Sequence, residues 1–258
     1  MRLKVFIETS VLIEGAIYLA YKIADNMVRC KREHYDDVMQ LFSLFEKNPN
    51  KRVGLTTKSV EEEAYKVLYK VIERTLMNEC TEKEVLFQVL SVAQDICESR
   101  LRKLLRTLVI EPVDEELTKK YWKKVKQVYE LLEQEAKDKN FGTEKKVPVP
   151  RSLRWEEISK IYQRQEQQMN LQLINLINKP IETSDIWILS EAVYLFNLLK
   201  ETLPDEVDFY FASLDHHFVP YYRSGRKISG QIAEEIKRNF LITADDPRHV
   251  YEEVKSRL

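Results

Sequence analysis

Four acids stand where an apolar, extended run gives way to a helix or a loop, or in the first turns of such a helix: Glu8, Glu63, Asp185 and Asp215. Carboxylates gathered in one cleft repel one another unless they are protonated or bridged by cations. A ligand set made of oxygen, with no cysteine or spaced histidine pair, suits Mg²⁺ or Mn²⁺. Two such ions about 4 Å apart activate a water and stabilise the leaving oxygen of a phosphodiester. Thr9, Ser10 and Ser213 stand next to these acids, and their hydroxyls are candidates to orient carboxylates or water. Singly, each acid has an ordinary structural reading. Asp185 would complement a helix N-terminus, Asp215 would close a turn before His216-His217, and Glu63 would be a solvated helix charge. Glu8 fits such readings least, because an acid seldom adjoins a fully apolar strand without a partner.

The elements that must position these acids follow from the hydrophobic pattern. Leu3, Val5, Phe6 and Ile7 form a short run with almost no polar relief, the signature of a strand buried on both faces of a parallel sheet. Its carboxyl edge, where Glu8 falls, is where open α/β sheets bind ligands. Ser10 can cap a helix running through Val11, Leu12, Ala16, Leu19, Ala20 and Ile23, and a second helix spans Lys31 to Glu46. A second strand, Arg52 to Thr57, leads into a helix from about Ser59 whose buried stripe is Val60, Ala64, Val67 and Val71. Glu63 flanks that stripe, Glu62 points away, and Glu61 is the weaker alternative. A helix from Glu82 to Leu105 and a third strand at Leu108 to Ile110 follow. Val113 to Leu132 and Arg154 to Asn178 read as amphipathic helices, separated by an aperiodic segment with Gly142, Pro148 and Pro150. Beyond Pro180 come a helix from Asp185 to Lys200, a strand from Phe209 to Leu214, a helix from Ser229 to Phe240, a strand from Phe240 to Thr243, and a last helix opened by Pro247.

Strands alternating with helices imply a parallel sheet joined by right-handed crossovers. The expected fold is α/β: a five-stranded parallel sheet flanked by helices, formed by residues 1–113 and 181–258, with a large helical insertion at 114–180. The 258 residues suffice for one sizeable core. A net charge of −1 argues against a chain that holds nucleic acid by bulk charge alone, but allows a local basic face. Cys30, Cys80 and Cys97 lie too far apart for a zinc motif and read as free thiols of a reducing compartment. No signal-peptide pattern or bilayer-spanning run is present, and the expected location is the cytoplasm.

Four segments together resemble the PIN-domain nucleases. They are Val5-Phe6-Ile7-Glu8-Thr9-Ser10, Val60-Glu61-Glu62-Glu63, Ser184-Asp185-Ile186-Trp187 and Ala212-Ser213-Leu214-Asp215-His216-His217-Phe218. These are ribonucleases with a compact parallel sheet and a metal-binding acid cluster, and some are toxins of toxin–antitoxin pairs. The resemblance implies a PIN-like endoribonuclease that binds Mg²⁺ or Mn²⁺ through Glu8, Glu63, Asp185 and Asp215. Ser213 would be the small hydroxyl residue before the last acid and Phe218 the aromatic after it. Two departures stand out: Glu8 replaces the usual Asp, moving its carboxylate by about one bond length, and the helical insertion is not part of the small toxins. A rival for the fourth acid is Asp245, in Ile242-Thr243-Ala244-Asp245-Asp246. Asp215 is preferred because choosing Asp245 would leave the strand Phe209 to Leu214 without a role.

Expected partners are RNA, a protein such as an antitoxin, and a second copy of the chain. Candidate phosphate contacts are Lys58, Arg151, Arg154, Arg223, Arg226 and Lys227. The run from Tyr221 to Lys227 mixes aromatics and cations as a single-strand groove would. The competing expectation is a PIN-like module with a weakened site that binds RNA or a protein without cutting.

Overall fold

The computed structural model describes residues 2–23, 26–79, 83–138, 171–203, 206–223 and 226–258. Its centre is a sheet of five parallel strands: β1 (Arg2–Ile7), β4 (Gly54–Thr57), β5 (Val109–Glu111), β6 (Val207–Ala212) and β9 (Thr243–Asp245), in the order β5-β4-β1-β6-β9. Helices connect the strands, as the alternating pattern requires. Val5, Phe6 and Ile7 of the central strand are fully buried. Phe6 stacks on Phe211 of β6 at 5.5 Å, and Phe211 meets Phe218 edge-on at 5.1 Å. From β1 the chain builds outward through β4 and β5, then returns to the other side for β6 and β9. The strand order therefore reverses between β1 and β6, and a crevice opens at the carboxyl ends of strands at such a reversal.

Helix α1 (Thr9–Ala16) follows β1 directly, with Glu8 as its N-cap. Val11, Leu12 and Ala16 are fully buried, and α1 packs against α2 (Tyr35–Lys47), α3 (Lys58–Glu79) and α4 (Lys83–Arg106). A Cβ on Gly15 would lie 2.8 Å from Val38 Cγ1 and 2.9 Å from Leu104 Cδ1, so this approach admits only glycine without a shift. Helix α5 (Glu115–Asp138) packs against α6 (Leu171–Asn178) and α7 (Thr183–Thr202). Helix α8 (Gln231–Phe240) leads to β9, and α9 (Pro247–Lys255) closes the chain, capped by Asp246 with Pro247 in its first turn.

Several element boundaries differ from those read in the sequence. The first helix does not continue to Ile23. It stops at Ala16, Ile17 is extended, and Tyr18–Ile23 (β2) pairs antiparallel with Asn26–Lys31 (β3), so α2 starts at Tyr35 and not at Lys31. Leu19, Ala20 and Ile23 satisfy a helical period, but the Tyr- and Ile-containing run also suits a hairpin, and pairing six residues with six decides the matter. Tyr221–Arg223 (β7) and Arg226–Ser229 (β8) form a second hairpin, so the aromatic and cationic residues of the run from Tyr221 to Lys227 lie on paired strands that the sequence pattern does not mark. Arg52 and Leu241 sit in the left-handed region, at φ 46° and 60°, so β4 and β9 begin later than the apolar runs do. Helix α7 starts at Thr183 with Glu182 as N-cap, ahead of the expected start at Asp185. The helix expected over Arg154 to Asn178 is described only from Leu171, and the segment around Gly142 to Pro150 lies outside the described residues. Among the described residues no helix is long and apolar enough to cross a membrane. The Cys97 side chain is buried, whereas Cys80 and the Cys30 side chain fall outside the description.

Candidate metal centre

A cavity of about 420 Å³ opens at the carboxyl edge of the sheet, and Glu8, Glu63, Asp185 and Asp215 all line it. Each arrives on a different element. Glu8 follows β1 and caps α1; Glu63 lies in the second turn of α3; Asp185 sits in the first turn of α7; Asp215 follows β6 after Ser213 and Leu214. Thr9, Ser10, Ile13, Glu14, Arg32, Val67, Val71, Lys179, Leu214 and His216 complete the wall.

The small hydroxyl side chains set the carboxylates. Ser10 donates both its N–H, at 3.0 Å, and its Oγ–H to Glu8 Oε2, and Ser213 Oγ donates to the same oxygen at 3.0 Å. Ser10 Oγ also accepts the Leu214 N–H at 2.9 Å, and Ser213 Oγ the Asp215 N–H at 2.9 Å. Two serines thus tie the end of β1 to the end of β6. Thr9 Oγ1 donates to Glu63 Oε2, which carries the acid of α3 toward the end of β1. Glu8 is only 6% exposed. Burial, aided by the charge of Asp215 and opposed by the serine hydrogen bonds, pushes its carboxyl up to about 7. Burial and the neighbouring Asp215 push Asp185 up to about 6, although it accepts the Glu182 N–H at 3.4 Å.

His217 is buried beside Asp215 and does not itself line the cavity. Asp215 accepts the His217 N–H at 2.8 Å, and its Oδ1 lies 3.0 Å from His217 Nδ1. For Asp215, burial works upward but the bonds and charge of His217 prevail, and its carboxyl lies below the ordinary value. For His217, burial works downward but Asp215 prevails, and the imidazole titrates above its ordinary value. The His217 Nε2 is 2.6 Å from the Lys179 carbonyl, which can only accept, so that nitrogen carries a hydrogen. The turn is held from outside the sheet. Tyr129 of α5 donates to the His217 carbonyl at 2.6 Å, and Gln172 of α6 donates to the Val219 carbonyl at 2.7 Å. Ligand atoms of Asp185, Asp215 and His217 all lie within 4.8 Å of one another.

The sequence-predicted contacts to nucleic acid lie elsewhere. Lys58 is exposed and pairs with Glu61 at 2.8 Å; Lys227 pairs with Glu234 at 2.9 Å; neither lines the cavity. Arg151, Arg154 and the side chains of Arg223 and Arg226 lie outside the described residues. The cations that line the cavity are Arg32, paired with Glu14 at 3.0 Å, and Lys179. His216 lines it too and stacks on Tyr221 at 3.9 Å.

Glu191 is the residue that sequence reasoning passed over. It is 1% exposed on α7, and accepts from Thr57 Oγ1 at 2.6 Å, Trp187 Nε1 at 2.8 Å and Ser59 Oγ. Burial pushes its carboxyl upward. By joining the end of β4 and the start of α3 to α7, it fixes the elements that carry Glu63 and Asp185. The signal was Ser190-Glu191 inside the otherwise apolar face Ile188, Leu189, Ala192, Leu195. Asp245, the rival fourth acid, does not line this cavity; it accepts from Tyr222 OH at 2.9 and 3.1 Å.

Fold and site define a class: an α/β protein with a parallel sheet and an acid-lined cleft at the reversal of strand order. Comparison of the chain with protein-family models, with curated proteins and with solved structures returns no match.

Proposed function

We propose that the protein is a metal-dependent phosphodiesterase of PIN-like type, most simply a ribonuclease. The observation that carries this reading is the convergence of Glu8, Glu63, Asp185 and Asp215, from four elements far apart in sequence, on one cavity. The donor set fits a hard divalent cation, since the four side chains present carboxylate oxygens and two of them are held well above their ordinary pKa by burial and mutual repulsion. Such a cation, when bound, supplies Lewis acidity toward a phosphoryl oxygen and acidifies water. The chain's residues do the remaining work. Asp185 and Asp215 would hold the cation. Glu63, fixed by Thr9, lines the same cavity, where it can accept a proton from water. Arg32 and Lys179 offer charge to the phosphate backbone, and the His216–Tyr221 stack offers a flat surface to a base.

The test is cleavage of single-stranded RNA by purified protein with Mn²⁺ or Mg²⁺, and its loss in Asp185→Asn and Asp215→Asn. Absence of cleavage of RNA and DNA with every divalent ion tried overturns the catalytic reading. One observation favours the alternative of a non-cutting RNA- or protein-binding module: the hydrogen bonds from Ser10 and Ser213 already engage the buried Glu8 carboxylate. That alternative predicts RNA binding unaffected by chelator.

A further inference from the structure

We propose that His217 Nδ1 is a direct ligand to the cation held by Asp185 and Asp215, which makes this a nitrogen–oxygen site selective for Mn²⁺ over Mg²⁺. The inference rests on the metal-dependent reading above and deepens it. Three observations meet here. First, His217 is 1% exposed, and its Nδ1 makes no hydrogen bond of acceptable direction even though Asp215 Oδ1 is 3.0 Å away. A buried nitrogen left so is costly unless a proton shared with Asp215 or a bound cation occupies its lone pair, and a cation would displace that proton. Second, the ring is oriented as metal-ligating imidazoles are: the distal nitrogen donates to a backbone carbonyl, that of Lys179 at 2.6 Å, which fixes the tautomer and leaves Nδ1 as the donor atom. Third, a ring nitrogen of His217 and one oxygen from each aspartate lie within 4.8 Å of one another, and Nδ1 is the nitrogen that faces Asp215 Oδ1, at 3.0 Å. A cation about 2.1 Å from each would bring ligands to within about 4.2 Å of one another, which small side-chain rotations supply.

The ring is held there by the fold as a whole. The His217 carbonyl accepts from Tyr129, its N–H donates to Asp215, and Phe218 beside it packs on Phe211. Imidazole suits transition metals and Mn²⁺ is the weakest binder of their series, but Mg²⁺ takes oxygen ligands and keeps its waters, so a nitrogen ligand favours Mn²⁺ over Mg²⁺.

The direct test is pulsed electron paramagnetic resonance of Mn²⁺-loaded wild-type protein, prepared once with ordinary histidine and once with ¹⁵N-imidazole-labelled histidine. The expected result is a nitrogen coupling that changes with the label. Calorimetry supplies the second measurement. His217→Asn should weaken Mn²⁺ by at least about tenfold and leave the weaker Mg²⁺ affinity within roughly twofold. If Mn²⁺ binds, is lost in Asp185→Asn, and shows no nitrogen coupling, the histidine assignment is overturned while the metal-dependent reading stands. If wild-type protein binds neither ion, the reading itself falls. Because the spectroscopy uses unmutated protein, a folding defect in His217→Asn leaves the test intact.

Discussion

Among the described residues are two groups of two aspartates and a histidine, built at the same edge of the same sheet and wired differently. In one, Asp185, Asp215 and His217 come from two elements, line or back a cavity, and leave His217 Nδ1 without a hydrogen bond. In the other, Asp245, Asp246 and His249 follow β9, and their polar atoms are turned on one another. Asp246 Oδ1 caps α9 through the His249 N–H at 2.9 Å and meets His249 Nδ1 at 2.8 Å. Asp245 takes the Asp246 N–H at 2.9 Å and the Tyr222 hydroxyl, and Tyr222 stacks on His249 at 3.8 Å. The residue types are the same and both groups border cavities, but Asp246 caps a helix, whereas Asp185 and Asp215 share their cavity with Glu8 and Glu63. What separates them is where the hydrogen bonds go, and composition carries none of that information.

The contrast is broken most sharply by neutralising one acid in each group. Asp185→Asn or Asp215→Asn should reduce Mn²⁺-dependent cleavage on the order of 10²–10³-fold, whereas Asp245→Asn should leave it unchanged. Equal losses in both groups, measured as initial rates on one RNA, would mean that the two clusters act together.

Next in size is the pH dependence set by Glu8. Its carboxyl lies near 7 in the folded protein against 4.5 ordinarily, so the folded state keeps a proton that the unfolded chain has shed. Stability of the metal-free protein therefore falls as pH rises from about 4.5 and levels off above 7, by about 3 kcal/mol for this group. Asp185, raised to about 6, adds to the loss at lower pH, and His217, raised above its ordinary value, adds to it near neutrality. Asp215 runs the other way, since its lowered value means that its contribution is lost only as pH falls into the acid range. Glu8→Gln keeps an acceptor for Ser10 and removes the charge. Urea titrations should show it more stable than wild type at pH 8 and equal to it near pH 4.5. A variant less stable at pH 8 would show that Glu8 is not strained when ionised. Metal reverses the trend: bridging carboxylates requires their protons to leave, so Mn²⁺ affinity should rise between pH 5.5 and 7.5.

A smaller effect belongs to Glu191. Truncation to Ala removes the shared acceptor of Thr57, Ser59 and Trp187 and leaves the buried Thr57 hydroxyl with Ser59 Oγ at 3.2 Å, at a cost of about 2 kcal/mol. Because β4, α3 and α7 lose their common anchor, Mn²⁺ affinity should fall as well, although Glu191 lies outside the acid-lined cavity. A loss of stability with unchanged metal affinity would confine Glu191 to packing.

Much of this was legible in the sequence. The buried triplet Val5-Phe6-Ile7 located the central strand, and an acid at its end located the ligand edge. The spacing of Val60, Ala64 and Val67 chose Glu63 from three consecutive glutamates, and the structure places Glu63 on the cavity while Glu61 pairs with Lys58. The misses have physical causes. Leu19, Ala20 and Ile23 fit two periods at once, and strand pairing, a non-local event, chose between them. Arg32 and Lys179 reach the cavity from a β3–α2 junction and the end of α6, positions that no local pattern marks. Glu191 was hidden by its setting, since a single acid in an apolar helix reads as an interruption until its three donors are seen. The orphaned nitrogen of His217 is a property of geometry alone.

The smallest effect completes the comparison from the other side. Asp246 is an N-cap: it follows β9, takes the His249 N–H, and precedes Pro247, whose missing N–H costs nothing at that position. Asp246→Ala removes the capping acceptor and should cost about 1 kcal/mol. Asp246→Ser, which restores an acceptor without the charge, should recover most of it, because the cap depends mainly on the hydrogen bond. Neither change should move Mn²⁺ affinity. The pair of variants thus asks one question of the second cluster: whether its acids serve the helix or an ion. Stability restored by serine together with metal binding indifferent to both changes answers for the helix; weaker Mn²⁺ binding in both variants would place a cation there and erase the distinction between the two clusters.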